Sequence, residues 1–318
     1  MSAASAPASA CAAAPPRRSW LFVPGDSERK QERALASEAD VVILDLEDSV
    51  APARLPHARE RVARVLHAPR RAGDPELWVR VNAPASGLLR TDLAEVCAAG
   101  ALPDGVVLPK VSAPDEIIDV ARFLATLEMG FGRPSGSTRL LVLGTETAAG
   151  LLALPQYPGA LGAVPEVSAR LAGLTWGAED LGAALGATGR RDAAGALTFT
   201  FQLARSSCLL AAAALAVQAI DAVWTDLRDA QGLGRELAEA RRDGFSGKLA
   251  IHPDQLAAIN GAFRPTAAER AYAQRVVAAF AAAPEAGVVS LDGQMIDRPH
   301  LLQAQRILAV APGARDEA

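Results

Sequence analysis

The segment DVVILDLED (40–48) sets four consecutive apolar residues, three of them β-branched, after Asp40 and closes on Asp45, Glu47 and Asp48. A strand with one wet face alternates apolar and polar residues. An unbroken apolar run of this length fits a strand covered on both faces, as in parallel sheets. Working outward, the same unit recurs: a short apolar run, a polar turn, then a longer amphipathic stretch. Upstream lies SWLFVPG (19–25). Downstream come ELWVRVN (76–82), DGVVLPK (104–110), RLLVLGTET (139–147), AGLTWGAED (172–180), AIDAVWT (219–225) and KLAIHP (248–253). These make eight strand candidates.

Helix candidates fill the gaps, among them SERKQERALASE (27–38), PDEIIDVARFLATLE (114–128), FQLARSSCLLAAAALAVQ (201–218) and LRDAQGLGRELAEARRD (227–243). Eight such units in about 235 residues match a (β/α)8 TIM barrel better than an open doubly wound sheet. No GxGxxG follows the first strand, which counts against a dinucleotide-binding fold. The division expected is a disordered leader at 1–16, a barrel at 17–262 and a C-terminal helical lid extension at 263–318. Within that extension TAAERAYAQRVVAAFAAA (266–283) opens with a capping-box pattern, Thr266 and Glu269. A turn-rich, strand-like segment AGVVSLDGQMIDRP (286–299) and a helix HLLQAQRILAVA (300–311) follow.

With 318 residues, half of them apolar and few aromatic, the core is built from Ala, Val, Leu and Ile. A formal charge of −4 gives no nucleic-acid footprint. Charges and prolines interrupt every apolar run, so no membrane span is expected. The opening MSAASAPASACAAAPP lacks a basic start and a continuous apolar stretch, so it does not read as a signal peptide. Cys11, Cys97 and Cys208 fit no CxxC pattern. Cys97 and Cys208 read as buried, inert thiols, and a cytoplasmic location follows.

Barrel active sites form at the C-terminal ends of the strands. Those positions carry Asp45, Glu47, Asp48, Arg80, Asn82, Lys110, Glu146, Thr147, Glu179, Asp180 and His252. Acids dominate, with Arg80 and Lys110 as cations. Converging carboxylates need neutralising, and two of them plus waters and substrate oxygens suit Mg2+, with Mn2+ as the alternative. His and Cys are too few there for zinc. Each residue also has a plain reading. Glu146 and Asp180 can cap the helices that follow them, and Asp48 can cap a turn. Arg80, aimed inward by its alternation with Val79 and Val81, can be a salt-bridged core arginine. His252 reads as a structural residue and Asp26 as a turn residue.

At these same residues the sequence resembles the citrate lyase β subunit and its CoA-ester lyase relatives, within the HpcH/HpaI aldolase superfamily. The matching stretches are RSWLFVPGD (18–26), VVILDLEDSVAP (41–52), WVRVN (78–82), VVLPKV (106–111), ETAAG (146–150), WGAEDLGAALG (176–186), SGKLAIHPDQ (246–255) and LDGQMIDRPHLLQA (291–304). They run in order over nearly the whole chain beyond residue 17. The resemblance implies a TIM barrel assembled as a homotrimer or hexamer. It assigns Mg2+ to Glu146 and Asp180, and substrate oxygens to Arg80, with Asp45, Glu47 and Lys110 around them. Asp297, in the lid, becomes the acid/base, reaching a neighbouring subunit, with Asp292 the runner-up. Ser246, Gly247 and Lys248 fall in the CoA cleft. Gln294 departs from the lysine common at that place, which touches thioester contacts and leaves the acid intact.

The implied reaction is Mg2+-dependent carbon–carbon cleavage, or formation, of a 3-hydroxyacyl-CoA such as malyl-CoA or citramalyl-CoA, giving a keto acid and acetyl-CoA. The alternatives are a citryl-acyl-carrier-protein lyase subunit, a malyl-CoA thioesterase or malate-synthase-like enzyme, and a non-catalytic barrel that binds CoA esters.

Overall fold

The computed structural model describes residues 17–310, so the expected leader and Cys11 lie outside the described residues. Two compact units are present, Arg17–Phe263 and a second that begins at Arg264. In the first, β1 (Ser19–Pro24), β2 (Val41–Asp45), β3 (Glu76–Arg80), β4 (Gly105–Leu108), β5 (Arg139–Leu143), β6 (Leu171–Thr175), β7 (Gln218–Asp221) and β8 (Gly247–Ala250) form a closed barrel. All neighbours are parallel, and β8 closes on β1 with Ser19 beside Lys248 and Trp20 beside Leu249. The fold is the (β/α)8 barrel read from the strand rhythm. The expected strands overrun the observed ones at their C-terminal ends, because the polar rim residues follow the apolar run without a break.

Side-chain parity divides the core into two layers. Trp20, Val41, Ile43, Trp78, Val107, Leu141, Leu143, Ala172, Ile220 and Leu249 fill the barrel interior. Trp20 and Trp78 meet edge to face with centroids 4.8 Å apart. A Cβ on Gly105 would lie 2.4 Å from the Trp78 ring, so this position requires glycine. The alternate residues, such as Val42, Leu44, Val79, Val142, Leu174 and Ala250, pack against the surrounding helices. Each fully buried aliphatic side chain contributes roughly 1.5–3 kcal/mol. Cys97 and Cys208 are free and buried in this layer, as expected. Burial pushes the Cys97 thiol up to about 12.

The second unit has its own small core of Ala273, Val276, Ile296 and Ala304. The helix Ala267–Ala281 is capped by Thr266 and Glu269, as its sequence pattern predicts. The segment expected as one strand is a hairpin, β9 (Val288–Leu291) against β10 (Gln294–Asp297). Asp292 and Gly293 form its two-residue turn at φ +54 and +77, the left-handed pair that a tight Asp-Gly hairpin needs. A last helix spans Arg298–Ala309. No helix among the described residues is long and apolar enough to cross a membrane.

Candidate active site

Asp45 and Arg80 continue the inward rows Val41–Ile43 and Trp78, and the sheet register sets them side by side. Arg80 donates from Nε and Nη2 to the two oxygens of Asp45, each at 2.7 Å. The backbone N–H groups of Glu47 and Ser49 donate to the same carboxylate at 3.0 and 3.2 Å. Burial alone raises the Asp45 pKa, but the charge and hydrogen bonds of Arg80 outweigh it and hold the carboxyl below its ordinary range. Both oxygens of Asp45 are thereby engaged in orienting Arg80. The guanidinium lies 4.8 Å over the Phe22 ring, and its Nη1 stands 2.9 Å from Glu47 Oε2. Arg80 is the salt-bridged arginine of its plain reading, with Nη1 also 3.5 Å from Asp48.

Lys110, just past β4, has φ +52, a left-handed backbone that costs a non-glycine residue about 1–2 kcal/mol. That twist aims its N–H at Glu146 Oε2, 2.7 Å away. Its ammonium donates to Glu47 Oε1 at 2.5 Å and Asp48 Oδ1 at 2.9 Å, and stands 3.3 Å from Asp180 Oδ1. Burial works against the ammonium, but the bonds to Glu47 and Asp48 keep its pKa above the ordinary lysine range.

Glu146 is 3 % exposed, and burial pushes its pKa up to about 8 against the pull of Arg80. Glu47 is raised to about 7, again chiefly by burial. Neither Glu146 nor Asp180 is a cap. Thr147 accepts the Gly150 N–H at 2.9 Å and caps the helix Ala148–Ala153. Gly177 occupies the N-cap of Ala178–Leu185, whose first turn carries Asp180. Glu179 turns aside to Arg190 at 3.2 Å, so Asp180 is the acid of that pair brought to the mouth. A Cβ on Gly177 would stand 2.8 Å from Glu146 Cγ; glycine there makes room for the carboxylate.

Five carboxylates (Asp45, Glu47, Asp48, Glu146 and Asp180) thus converge with two cations. Glu146 Oε1 and Asp180 Oδ2 accept no hydrogen bond from any described residue. No cluster of three or more His, Cys, Asp or Glu among the described residues has the disposition to hold a metal ion. Glu146 and Asp180 as a pair fit Mg2+, which takes one or two carboxylates and fills its octahedron with water and substrate oxygens.

Other expected residues lie elsewhere. Ser246 and Gly247 stand at the N-terminal end of β8, away from the strand ends that bear the acids. Lys248 is fully buried between the barrel and its helices, bonded to Asp221 at 3.0 Å and Glu236 at 2.6 Å, and has no reach to a cofactor. Asp297 ends β10, and its carboxylate meets His300 Nδ1 at the start of the last helix. Asp292 is taken up in the hairpin turn and in an ion pair with Arg275. Asp26 binds Arg54, and His252 caps the turn that follows it through the Asp254 N–H, as their structural readings anticipate.

The sequence reading passed over two features. His300 follows Asp297 by three residues, one helical turn. Arg29, Lys30 and Arg33 line an open groove of about 320 Å³ with Phe22, Pro24, Ser49, Ile251, His252 and Pro253. None of these three cations has an acidic partner among the described residues. Phe22 belongs both to this groove and to the Arg80 stack. The cations were legible as RKQER (29–33), two residues after PGD (24–26).

The sequence pattern of HpcH/HpaI aldolase/citrate lyase matches residues 18–253. Citramalyl-CoA lyase, mitochondrial, of Rattus norvegicus is 36% identical over 95% of this chain and 88% of its own length. Citrate lyase subunit beta of Escherichia coli is 37% identical over 95% and 96%. Among solved structures, the CitE protein of Mycobacterium tuberculosis, in complex with magnesium, acetoacetate and coenzyme A, superposes with a TM-score of 0.72 at 35% identity, covering 94% of this chain and 99% of that one. With a matched pattern across most of its length and relatives above a third identical, the chain belongs to the HpcH/HpaI aldolase/citrate lyase family.

Proposed function

We propose that this protein is a Mg2+-dependent carbon–carbon lyase that splits a 3-hydroxyacyl-CoA, such as citramalyl-CoA or malyl-CoA, into a keto acid and acetyl-CoA. The observation that carries this reading is the acid-rich mouth: Glu146 and Asp180 meet at Lys110, and each keeps an oxygen without a hydrogen-bond donor among the described residues. Glu146 and Asp180 would hold the cation, with Mn2+ the alternative. When bound it supplies charge that lowers the hydroxyl pKa and steadies the oxygens of the departing keto acid.

The chain's own residues do the rest. Arg80, fixed by Asp45 and Phe22, donates to the carboxylate of the substrate and to the carbonyl oxygen that forms as the carbon–carbon bond breaks. The hydroxyl proton leaves to water as the carbonyl forms, and the electron pair of the carbon–carbon bond passes to the acetyl thioester as an enolate. Asp297, with His300 against it, delivers the proton to that carbon, in this reading from the lid of a neighbouring subunit. The groove at Arg29, Lys30 and Arg33 suits the phosphates of coenzyme A, with its apolar wall along the pantetheine arm. That replaces the Ser246–Lys248 segment as the CoA contact.

A homotrimer or hexamer is the assembly proposed. Supporting it, Phe199, Leu203 and Leu210 project from the single helix Phe199–Ala214 at 76, 49 and 69 % exposure. The location proposed is the cytoplasm, which keeps Cys97 and Cys208 reduced. A carrier-protein-linked citryl thioester is the second reading, favoured by the likeness to the Escherichia coli citrate lyase subunit.

The test is an assay with malyl-CoA, citramalyl-CoA and β-methylmalyl-CoA, trapping keto acid with phenylhydrazine, with Mg2+ and again with EDTA. Metal-dependent keto acid from one thioester is expected. Free acid and free CoA would mean a thioesterase instead. Silence on all three turns the reading to the carrier-bound citryl substrate. Asp297→Ala is expected to lose about 10²–10⁴-fold in kcat with cation binding kept; full turnover would end its role as the acid.

A further inference from the structure

Lys110 touches both carboxylates assigned to the cation, and does so with two different parts of itself. Its backbone N–H occupies Glu146 Oε2, and its ammonium stands on Asp180 Oδ1. One oxygen of each carboxylate is thereby taken and one left. We propose that the Lys110 ammonium sets the choice of cation by holding Asp180 to a single oxygen, beside a Glu146 already engaged by the backbone N–H. This inference rests on the reading of Glu146 and Asp180 as the cation's ligands.

The contact with Glu146 is a hydrogen bond, and that with Asp180 an ion pair at 3.3 Å. The N–H is aimed by a left-handed backbone at φ +52, an unfavourable conformation for lysine that only its surroundings hold in place. The Glu146 side chain is confined on its other flank by Gly177, where a Cβ would come within 2.9 Å of Oε1. The ammonium is moored by Glu47 at 2.5 Å and by Asp48 at 2.9 Å. A carboxylate with one oxygen engaged in this way is disfavoured from chelating with both. Mg2+ is small, octahedral and content with single oxygens and water, whereas Ca2+ takes six to eight oxygens and readily accepts chelating carboxylates. Lys110 therefore disfavours Ca2+ by geometry.

Removing the ammonium also makes the mouth more negative. That change acts alike on two cations of equal charge, to first order. The ratio of the two affinities isolates the geometric effect. Calorimetric titration of the metal-stripped chain with MgCl2 and, separately, with CaCl2 gives that ratio for the unmodified protein, Lys110→Met and Lys110→Arg. The unmodified chain is expected to prefer Mg2+. In Lys110→Met the Mg2+:Ca2+ ratio falls about tenfold, the usual scale for residues that orient metal ligands, whichever way the absolute affinities move. Lys110→Arg retains the preference. An unchanged ratio in folded Lys110→Met overturns the inference and leaves the cation site standing. Should Lys110→Met not fold, Lys110→Gln carries the same comparison. Binding of neither cation by the unmodified chain overturns the cation site, and this inference with it.

Discussion

The barrel unit holds two clusters of buried charge with similar ingredients and opposite designs. At the strand ends, Asp45, Glu47, Asp48, Glu146 and Asp180 face only Arg80 and Lys110. Between β7, β8 and the helix Ala230–Asp243, Asp221, Glu236, Glu239 and Asp243 face Lys248, Arg205 and Arg191, each acid paired with at least one cation. The second cluster is closed. Trp176 Nε1 donates to Asp221 at 2.7 Å, and burial, which by itself raises the Asp221 pKa, is outweighed by Lys248 and Arg205. In the first cluster burial wins at Glu146 and Glu47, and both are held above the ordinary carboxylate range. A balanced buried network is finished by the fold itself, whereas an unbalanced one at an open mouth is finished by a ligand.

Lysine-to-methionine substitution breaks the comparison most sharply. Lys248→Met takes from Asp221 and Glu236 the one cation they share, leaving Arg205 and Arg191, and is expected to cost about 3–5 kcal/mol, read by urea unfolding. A loss under ~1 kcal/mol would mean the closed cluster is wetter than its geometry says. Lys110→Met, at a half-open site already in excess of acid, is expected to stay within about 1 kcal/mol of the unmodified chain.

The pH dependence of stability should also differ. Glu146 and Glu47 have folded pKa values of about 8 and 7, above their unfolded value of 4.5. Their contribution is fully present below 4.5 and is lost as pH rises through 7 and 8. The slope is at most about 1.4 kcal/mol per pH unit for each group. Melting temperatures of the EDTA-treated protein from pH 5 to 9 should therefore fall, and Glu146→Gln should flatten the decline. Added Mg2+ should stabilise most at the alkaline end, where the carboxylates are already ionised. A curve that rises over this range would contradict the burial argument.

These two clusters also mark how far the sequence could be read. Eight strands were visible because parallel strands buried on both faces leave long apolar runs, and the acids that follow them were visible as rim residues. Parity aimed Arg80 inward correctly. Applied to Lys248, the same parity points it outward, since Leu249 fills the interior; its place in SGK had suggested a ligand contact instead. The fork that consumes Asp45, the turning aside of Glu179 and the left-handed backbone at Lys110 depend on packing between distant segments, which no local pattern encodes. The hairpin was recoverable from its Asp-Gly pair alone.

The smallest effect concerns the thiols. Cys97 and Cys208, buried with raised pKa values, should remain unlabelled by iodoacetamide at pH 8 and react fully in urea, as peptide mass spectrometry can read. Labelling of either in the folded chain would show that the helix layer opens.

The most direct measurement is calorimetric titration of Mg2+ into the metal-stripped protein and into Glu146→Ala and Asp180→Ala, each verified as folded. The account predicts one saturable site in the unmodified chain and its loss in both variants. Binding that survives unchanged in the two variants would place the cation elsewhere and contradict the reading of the mouth as its site.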